Sequence, residues 1–217
     1  MQTTAYAREQ MIEQQVRAWE VLDERVLDVM RKVPRELFVP PGQRYRAYAD
    51  AEVPLPGGQN MLRPSVVGRL LQALLPAATE RVLEIGTGTG FVTACLRAMA
   101  TQVRSLEIFP ELAGIARRNL ALSGLGDVEV VDADAMQGDS GARYAVIALT
   151  ASLPVYDARF ERMLTVGGRL FVVVGAAPVM DARLVTRTSE DSVTTRSLFE
   201  TVIDPLVNAA RPAEFTF

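Results

Sequence analysis

The chain has 217 residues, a formal net charge of −3, 49% hydrophobic and 23% charged residues, one cysteine and no histidine. This composition is typical of a globular protein, and the length predicts one domain over residues 1–217. The small negative charge argues against a nucleic-acid-binding protein, while the absence of histidine excludes the usual Ser-His-Asp hydrolase and a histidine-based zinc site, so no metal is expected.

Cellular location is suggested by what the sequence lacks. No apolar run approaches the ~20 residues that a membrane-spanning helix needs. The start, Met1–Ala5, has neither the basic nor the apolar region of a secretory signal. The single cysteine, Cys95, allows no internal disulfide and fits a reducing compartment. We therefore expect a cytoplasmic protein without a membrane partner.

Residues 1–78 are predicted to form helices interrupted by one loop. A first helix is expected over Ala5–Trp19, and Asp23 is placed to cap a second helix that ends at Pro34. Five prolines between Val39 and Pro64 disfavour regular structure and predict a long loop, a kind of segment that is usually functional. A third helix follows, with one apolar face made of Val66, Val67, Leu70, Leu71 and Leu74.

From residue 79 onward, predicted strands and helices alternate. Helices are expected over Phe91–Met99 and from Pro110, where the missing N–H of proline costs nothing. The expected strands are Arg81–Ile85, Val103–Ile108, Val128–Val131, Tyr144–Leu149 and, after a Gly167-Gly168 turn, Leu170–Val174. Repeated strand–helix units are the pattern of a mostly parallel sheet.

The last predicted elements form an antiparallel hairpin, with strands Leu184–Thr188 and Ser197–Val202 joined by a polar turn over Ser189–Ser192. The whole pattern predicts an α/β fold: a Rossmann-like, seven-stranded, mostly parallel sheet with helices on both faces. The N-terminal helices extend this fold, the hairpin closes it, and residues 79–217 are expected to form the cofactor-binding core.

The strongest chemical signal is the turn Glu84-Ile85-Gly86-Thr87-Gly88-Thr89-Gly90 after an apolar strand. Its glycines allow a ligand to approach the backbone closely. Their G-x-G-x-G spacing, with Phe at position 91, departs from the G-x-G-x-x-G of dinucleotide sites, and no Gly-Lys-Ser/Thr of a phosphate loop follows. The turn better suits an adenosyl amino acid, S-adenosyl-L-methionine. The expected contacts are Glu84, Gly86, Thr87, Gly88 and Gly90.

Two acids at the ends of later strands complete this prediction. Glu107, with Ile108 beside it, can accept hydrogen bonds from both ribose hydroxyls, and Asp134, with Ala135, can bind the adenine amino group. Taken alone, Glu107 could be a solvated strand end and Asp134 a helix cap. Their position at the carboxyl ends of adjacent strands, where open α/β sheets bind ligands, favours the cofactor.

The chain also resembles the protein-L-isoaspartate O-methyltransferase family. The matching segments include Leu22–Leu27, Val33-Pro34-Arg35-Glu36-Leu37-Phe38-Val39-Pro40, Pro54-Leu55-Pro56, Val82–Gly90, Ser105-Leu106-Glu107-Ile108 and Gly167-Gly168-Arg169-Leu170. The resemblance implies a methyltransferase that uses S-adenosylmethionine to methylate the carboxylate of isoaspartyl residues in damaged proteins. Because a carboxylate with a pKa near ~4 is already ionised, this reaction needs no histidine base.

The resemblance implies the substrate-side residues as well. Leu62 stands where the family has a serine that helps hold the substrate, and Thr150 follows the fourth strand. Gln59, Asn60 and Arg63 are candidates to bind the substrate, with Arg63 able to pair with a carboxylate through its planar fork. Because Leu62 lacks a hydroxyl, two alternatives stay open. One is a methyltransferase of this fold acting on another protein site or a small molecule, and the other is a cofactor-binding module without catalysis.

Overall fold

A computed structural model of the chain describes residues 4–138 and 141–212, so Met1–Thr3 of the predicted start lie outside the described residues. Helix α1 spans Thr4–Met11, and the chain continues in helical turns of changed pitch as far as Trp19. Helix α2 spans Glu24–Lys32. Asp23 caps α2, as predicted, because its carboxylate accepts hydrogen bonds from the backbone N–H of Arg25 at 2.9 Å and of Val26 at 3.4 Å.

The segment between α2 and helix α3 (Pro64–Leu74) is more regular than the prolines predicted. Strand β1 (Val53–Pro54) pairs antiparallel with β2 (Asn60–Met61), and the Leu55 N–H donates to the Gln59 carbonyl at 2.8 Å. The expectation of a segment without regular structure was therefore wrong. Pro54 ends β1, and Pro41 and Pro56 begin short 3₁₀ turns, where a missing N–H breaks no ladder. Pro64 is the first residue of α3, where its N–H would be unpaired in any case.

A seven-stranded sheet forms the centre of the molecule, in the order β5-β4-β3-β6-β7-β8-β9. The five strands from β5 to β7 are parallel, and β8 and β9 add antiparallel to β7. The strands are β3 (Arg81–Ile85), β4 (Gln102–Glu107), β5 (Glu129–Asp132), β6 (Tyr144–Leu153), β7 (Leu164–Ala176), β8 (Val179–Ser189) and β9 (Ser192–Glu200). The predicted fold class is confirmed.

Alternation along each strand divides the buried side chains between the two faces of the sheet. One face packs against α2, α3, α4 (Phe91–Met99) and α5 (Pro110–Leu122), and Cys95 of α4 is buried there as predicted. The opposite face packs against Phe160 of α6 (Arg159–Arg162) and the segment around Leu206. Within the described residues, no helix combines the length and apolar character that crossing a bilayer requires.

Several strand boundaries differ from the prediction, among them those of β7 and β9. Gly167 and Gly168 lie inside β7, at a bulge where the pairing steps from Tyr144–Leu164 to Val146–Arg169, rather than in a turn before the strand. The hairpin turn is shorter than predicted, since Ser189 pairs directly with Ser192. The start of β9 at Ser192 was not predicted because β9 is an exposed edge strand. Its polar side chains show no apolar alternation.

Candidate cofactor and substrate site

A cleft of about 700 Å³ lies at the carboxyl ends of β3, β4 and β6. One part of its wall comes from the predicted cofactor residues Gly86, Gly88, Glu107, Ile108, Asp134 and Ala135. Another part comes from Thr150 and from the segment Leu55–Leu62, of which Leu55, Gln59, Asn60 and Leu62 line the cleft. The structure thus brings the two groups of predicted residues together.

The glycine turn is shaped by a backbone conformation that side chains disfavour. Gly86 and Gly88 have φ values of +94° and +56°. The hydroxyl of Thr150 lies 2.6 Å from the Gly86 carbonyl and 2.9 Å from that of Ile85, so it ties the turn to the end of β6. A Cβ at position 86 would lie 2.4 Å from this hydroxyl oxygen. The turn therefore presents bare backbone to the cleft, as close contact with a ligand requires.

Glu107 lies beside that turn, at the end of β4. Its Oε2 accepts from the Gly88 N–H at 2.8 Å, and its Oε1 accepts from the Phe109 N–H at 3.0 Å. Burial raises the pKa of Glu107, and the hydrogen bonds from backbone amides oppose this rise. A carboxylate has about four acceptor positions. Two are used here, so the remainder can accept hydrogen bonds from a vicinal diol such as that of a ribose.

Asp134 forms the far end of the cleft, with Ala135 beside it. Its Oδ1 accepts from the Met136 N–H at 2.8 Å, and its Oδ2 accepts from the Asn208 side chain at 2.9 Å. The alternative interpretation of Asp134 as a cap is therefore also correct in the structure, because the residue begins a short 3₁₀ turn. Apolar atoms of Ile108 and Ala133 line the same end, which suits a flat aromatic base with one polar edge.

The loop side of the cleft is anchored from two directions. The Asn60 amide donates to Oδ2 of Asp204 at 3.0 Å, which links the loop to the C-terminal segment. The Leu62 side chain is buried and contributes an apolar surface to the cleft, while its carbonyl accepts from Arg35 at 2.7 Å. Gln59 lies at the same rim. Where the family serine would place a hydroxyl, this chain places methyl groups.

Comparison with known proteins identifies this arrangement. Residues 6–211 match the family described as "Protein-L-isoaspartate(D-aspartate) O-methyltransferase". The chain belongs to this family. Protein-L-isoaspartate O-methyltransferase 2 of Pelobacter propionicus is 39% identical over 206 residues, covering 94% of this chain and 92% of the relative. Protein-L-isoaspartate O-methyltransferase of Methanoculleus marisnigri is 42% identical over 182 residues, covering 83% of each chain.

Solved structures agree at the level of the fold. The chain superposes with a TM-score of 0.82 on a Plasmodium falciparum putative protein-L-isoaspartate O-methyltransferase crystallised with S-adenosyl-L-homocysteine, at 16% identity over 92% of this chain and 97% of that one. A second protein-L-isoaspartate O-methyltransferase gives a TM-score of 0.77 at 23% identity, covering 91% and 65% of the chains. Family membership confirms the predicted methyltransferase class and S-adenosylmethionine as its cofactor.

Three predicted cofactor residues of this family member do not line the main cleft. Glu84 is fully buried between Ser105, whose hydroxyl donates to it at 2.6 Å, and Thr93, and burial raises its pKa to about 8. Thr87 lines a smaller adjoining cavity of about 350 Å³ between the turn and the loop. Gly90 caps α4 and packs against α5. Their placement supports a role in shaping the turn.

Arg63 is likewise placed behind the loop of this methyltransferase. Its Nη2 donates to the Thr201 hydroxyl at 3.1 Å, its guanidinium carbon lies 5.7 Å from the centre of the Trp19 ring, and it is not among the cleft-lining residues. The sequence made Arg63 a candidate to pair with a substrate carboxylate, but the structure does not place its side chain in the cleft. Neighbouring residues of an extended segment face opposite ways, and Leu62 takes the side that faces the cleft.

Sequence analysis missed the contribution of the C-terminal segment to this site. Asp204, Pro205 and Leu206 line the cleft. They are held there because Ser152 of β6 donates its N–H to the Asp204 carbonyl and accepts from the Leu206 N–H, both at 2.8 Å. Glu52 lines the same region, and its pKa is raised by burial and by the charge of Asp204. The end of the cleft beside Asn60 is therefore acidic.

Proposed function

We propose that this protein transfers a methyl group from S-adenosylmethionine to the carboxylate of isoaspartyl residues in peptides and proteins. The observation that carries the proposal is one continuous cleft with a bare glycine turn and Glu107 on one wall, and the loop residues Gln59, Asn60 and Leu62 on the other. Family membership supports the same reaction.

The residues present fit the cofactor. Gly88 leaves space that a side chain would fill, since a Cβ there would already lie 3.5 Å from Leu55. We assign the ribose to Glu107 and the adenine to Ile108, Asp134 and Ala135. When bound, the cofactor supplies a methyl group on a positively charged sulfur, and the substrate oxygen takes this methyl as the carbon–sulfur bond breaks.

The protein's own task is to align and to exclude water. The substrate carboxylate is ionised at neutral pH, so no group of the chain has to remove a proton. Among the described residues, no cluster of Cys, Asp or Glu could hold a metal ion. Opposite charges merge during the transfer, so alignment in a cleft from which water is excluded can provide most of the acceleration. We assign this alignment to Thr150, which fixes the turn, and to Asn60 and Leu62 of the loop.

The direct test is transfer of labelled methyl from S-adenosylmethionine to an isoaspartyl peptide, with the same peptide containing normal aspartate as the control. We expect base-labile label in the isoaspartyl peptide only. Equal, background counts in both peptides would contradict the proposal.

We also propose that the protein works in the cytoplasm, because its single cysteine is buried and reduced, as is usual in a reducing compartment.

One observation favours a second candidate. Leu62 lines both the cleft and the adjoining cavity, and the walls of that cavity are rich in apolar residues, including Met61, Val67 and Phe91. Such a surface suits a substrate with an apolar group beside its carboxylate, whether this is another protein site or a small molecule. This candidate predicts tight cofactor binding without turnover of isoaspartyl peptides, so the same assay separates the two.

A further inference from the structure

Arg35 is a fully buried cation that the proposed reaction does not use. It follows Pro34 in a short 3₁₀ turn, and its side chain is 0% exposed. Burying a charge without an ionised partner in direct contact is costly, and the side-chain acceptors of such groups are usually carboxylates. Here the acceptors are two backbone carbonyls, and Nη1 has no hydrogen-bond partner among the described residues.

The two carbonyls lie in the segment between α2 and α3, which we call the substrate loop, one near its middle and the other close to its end. Nε donates to the Ala47 carbonyl at 3.1 Å, and Nη2 donates to the Leu62 carbonyl at 2.7 Å. One guanidinium therefore joins the middle of the substrate loop to its last residues. Asp50 attracts the same charge and holds the following helix, because it accepts from the N–H and the hydroxyl of Ser65 at 3.0 and 2.9 Å.

The flat face of the same guanidinium rests on the cofactor side of the molecule. Its central carbon lies 4.9 Å from the centre of the Phe91 ring, a cation–π distance. Phe91 is the first residue of α4, directly after Gly90 of the glycine turn, and its ring packs against Phe38 with centres 5.8 Å apart. Arg35 is thus in contact with the helix that begins at the cofactor turn and with the backbone of the loop that faces it.

We infer that Arg35 is a positioning residue that fixes the backbone at position 62 relative to the glycine turn, and so aligns the substrate carboxylate with the methyl donor. The inference rests on the proposed function and extends it to a residue outside the cleft. A planar fork can donate to two carbonyls while it stacks on a ring, and the single ammonium of lysine cannot do all three. Arg35→Lys therefore keeps the charge and loses the geometry.

The test compares Arg35→Lys with Arg187→Lys. Arg187 is a suitable control because it is also buried and donates to backbone carbonyls, those of Arg162 and Leu164 at 3.1 and 3.2 Å, but lies at the other end of the sheet. For Arg35→Lys we expect kcat/KM for the isoaspartyl peptide to fall about tenfold to a hundredfold, the scale of a misalignment near 1 Å. The Kd for S-adenosylhomocysteine should change much less than kcat/KM, since the direct cofactor contacts stay intact and only the coupling through the loop is lost.

The result for the control variant decides between positioning and general damage. Arg187→Lys, measured at a temperature where both variants are fully folded, should keep wild-type kcat/KM. Unchanged kcat/KM in Arg35→Lys would overturn the inference, as would equal losses in both variants. Turnover by the wild type is measured in the same series, so failure of the proposed function itself is seen separately as absence of any isoaspartyl turnover.

A second measurement uses the unaltered protein and no peptide, and it decides the matter if Arg35→Lys does not fold. The backbone N–H groups of Ala47 and Ala49 donate within the loop and do not line the cleft. If Arg35 links the loop to the turn, S-adenosylhomocysteine should slow hydrogen exchange at these amides. Exchange that is unchanged there, while amides of the turn become protected, would overturn the inference.

Discussion

The Oε2 atom of Glu107 lies 2.8 Å from the backbone nitrogen of Gly88, so the acid at the end of β4 and the turn at the end of β3 are held as one unit. The second oxygen is fixed by the Phe109 N–H at 3.0 Å. A carboxylate restrained in this way is already oriented before a ligand arrives, and preorganisation lowers the entropy lost on binding.

We expect Glu107→Gln to weaken binding of S-adenosylhomocysteine by roughly tenfold to a hundredfold, the effect of losing a hydrogen bond to a charged group worth about 1.5–3 kcal/mol. The glutamine NH₂ is a donor, so it would face the Gly88 or Phe109 N–H, and the hydrogen bond that the carboxylate accepts there would be lost. Isothermal titration calorimetry measures the change. Glu111→Gln, on the exposed first turn of α5, is the control and should bind as the wild type does. Equal affinity in both variants would mean that the ribose lies elsewhere.

Gly86→Ala should reduce both stability and cofactor affinity. The new Cβ would meet the Thr150 hydroxyl at 2.4 Å, in a backbone with φ of +94°, so Thr150 must move and lose its hydrogen bonds to the turn. Gly124→Ala is the matched control, because φ there is +75° and nothing lies within 4 Å of the added atom. Urea denaturation should show a larger loss of unfolding free energy for Gly86→Ala. Equal losses of unfolding free energy in the two variants would show that backbone strain alone, and not the contact with Thr150, causes the effect.

The local features of this site could be predicted from the sequence because each depends on neighbouring residues. The glycine spacing and the apolar strand before it place the turn, and strand adjacency in a parallel sheet then places Glu107 beside it. Asp204 could not be predicted in this way. It belongs to an irregular segment without a periodic pattern, and only the pairing with Ser152, distant in sequence, brings it to the cleft.

The misplaced candidates have a common physical cause. Glu84 and Val82 face the same side of β3, toward α4, since side chains alternate along a strand. Arg63 turns away from the cleft for the same reason, opposite to Leu62. Strand alternation predicts this orientation of Glu84, whereas the glycine spacing does not distinguish which residues beside the turn face the cleft.

The division of the chain into an N-terminal part over residues 1–78 and a cofactor-binding core over residues 79–217 stays a prediction.

The buried carboxyl of Glu84 should make stability fall as pH rises. Burial raises its pKa to about 8 in the folded protein, whereas the unfolded value is about 4.3. The folded state therefore binds more protons between these values, and the free energy of unfolding from this group decreases by roughly 1 kcal/mol per pH unit until pH passes about 8. Glu84→Gln should remove this dependence, because its neutral amide oxygen can still accept from Ser105 and Thr93.

Urea denaturation at several pH values between 5 and 9 measures this effect. The difference in unfolding free energy between Glu84→Gln and the wild type should grow in favour of the variant toward pH 8. Glu129→Gln is a control on an exposed residue of the edge strand β5, whose side chain pairs with Arg104. A difference between Glu84→Gln and the wild type that does not vary with pH would show that Glu84 is ionised throughout.

Leu62→Ser tests what the missing hydroxyl does. If isoaspartyl peptides are the substrates, the new hydroxyl should raise kcat/KM several-fold, while loss of the buried side chain lowers stability by about 2–5 kcal/mol. Leu62→Ala is the control, because it removes the same bulk without adding a hydroxyl. Steady-state kinetics with the isoaspartyl peptide separates the two variants. Equal kinetics in both, at or below the wild-type level, would favour a substrate with an apolar group at this position.

The hydrogen bond between Asn60 and Asp204 should couple the substrate loop to the C-terminal segment. It joins two cleft-lining residues across 3.0 Å and has a carboxylate as acceptor. We expect Asn60→Ala and Asp204→Ala each to raise KM for the peptide, and the double variant to be no worse than the poorer single one, giving a coupling energy of about 1 kcal/mol.

A matched cycle on Ser197 and Asp181, whose side chains are 2.6 Å apart on β9 and β8, is the control and should leave KM unchanged. Because Glu52 and Asp204 repel each other, Asp204→Ala should also bring the pKa of Glu52 closer to its ordinary value. The pH dependence of KM reports that change. Strictly additive effects at positions 60 and 204 would mean that the loop and the C-terminal segment act on the substrate independently.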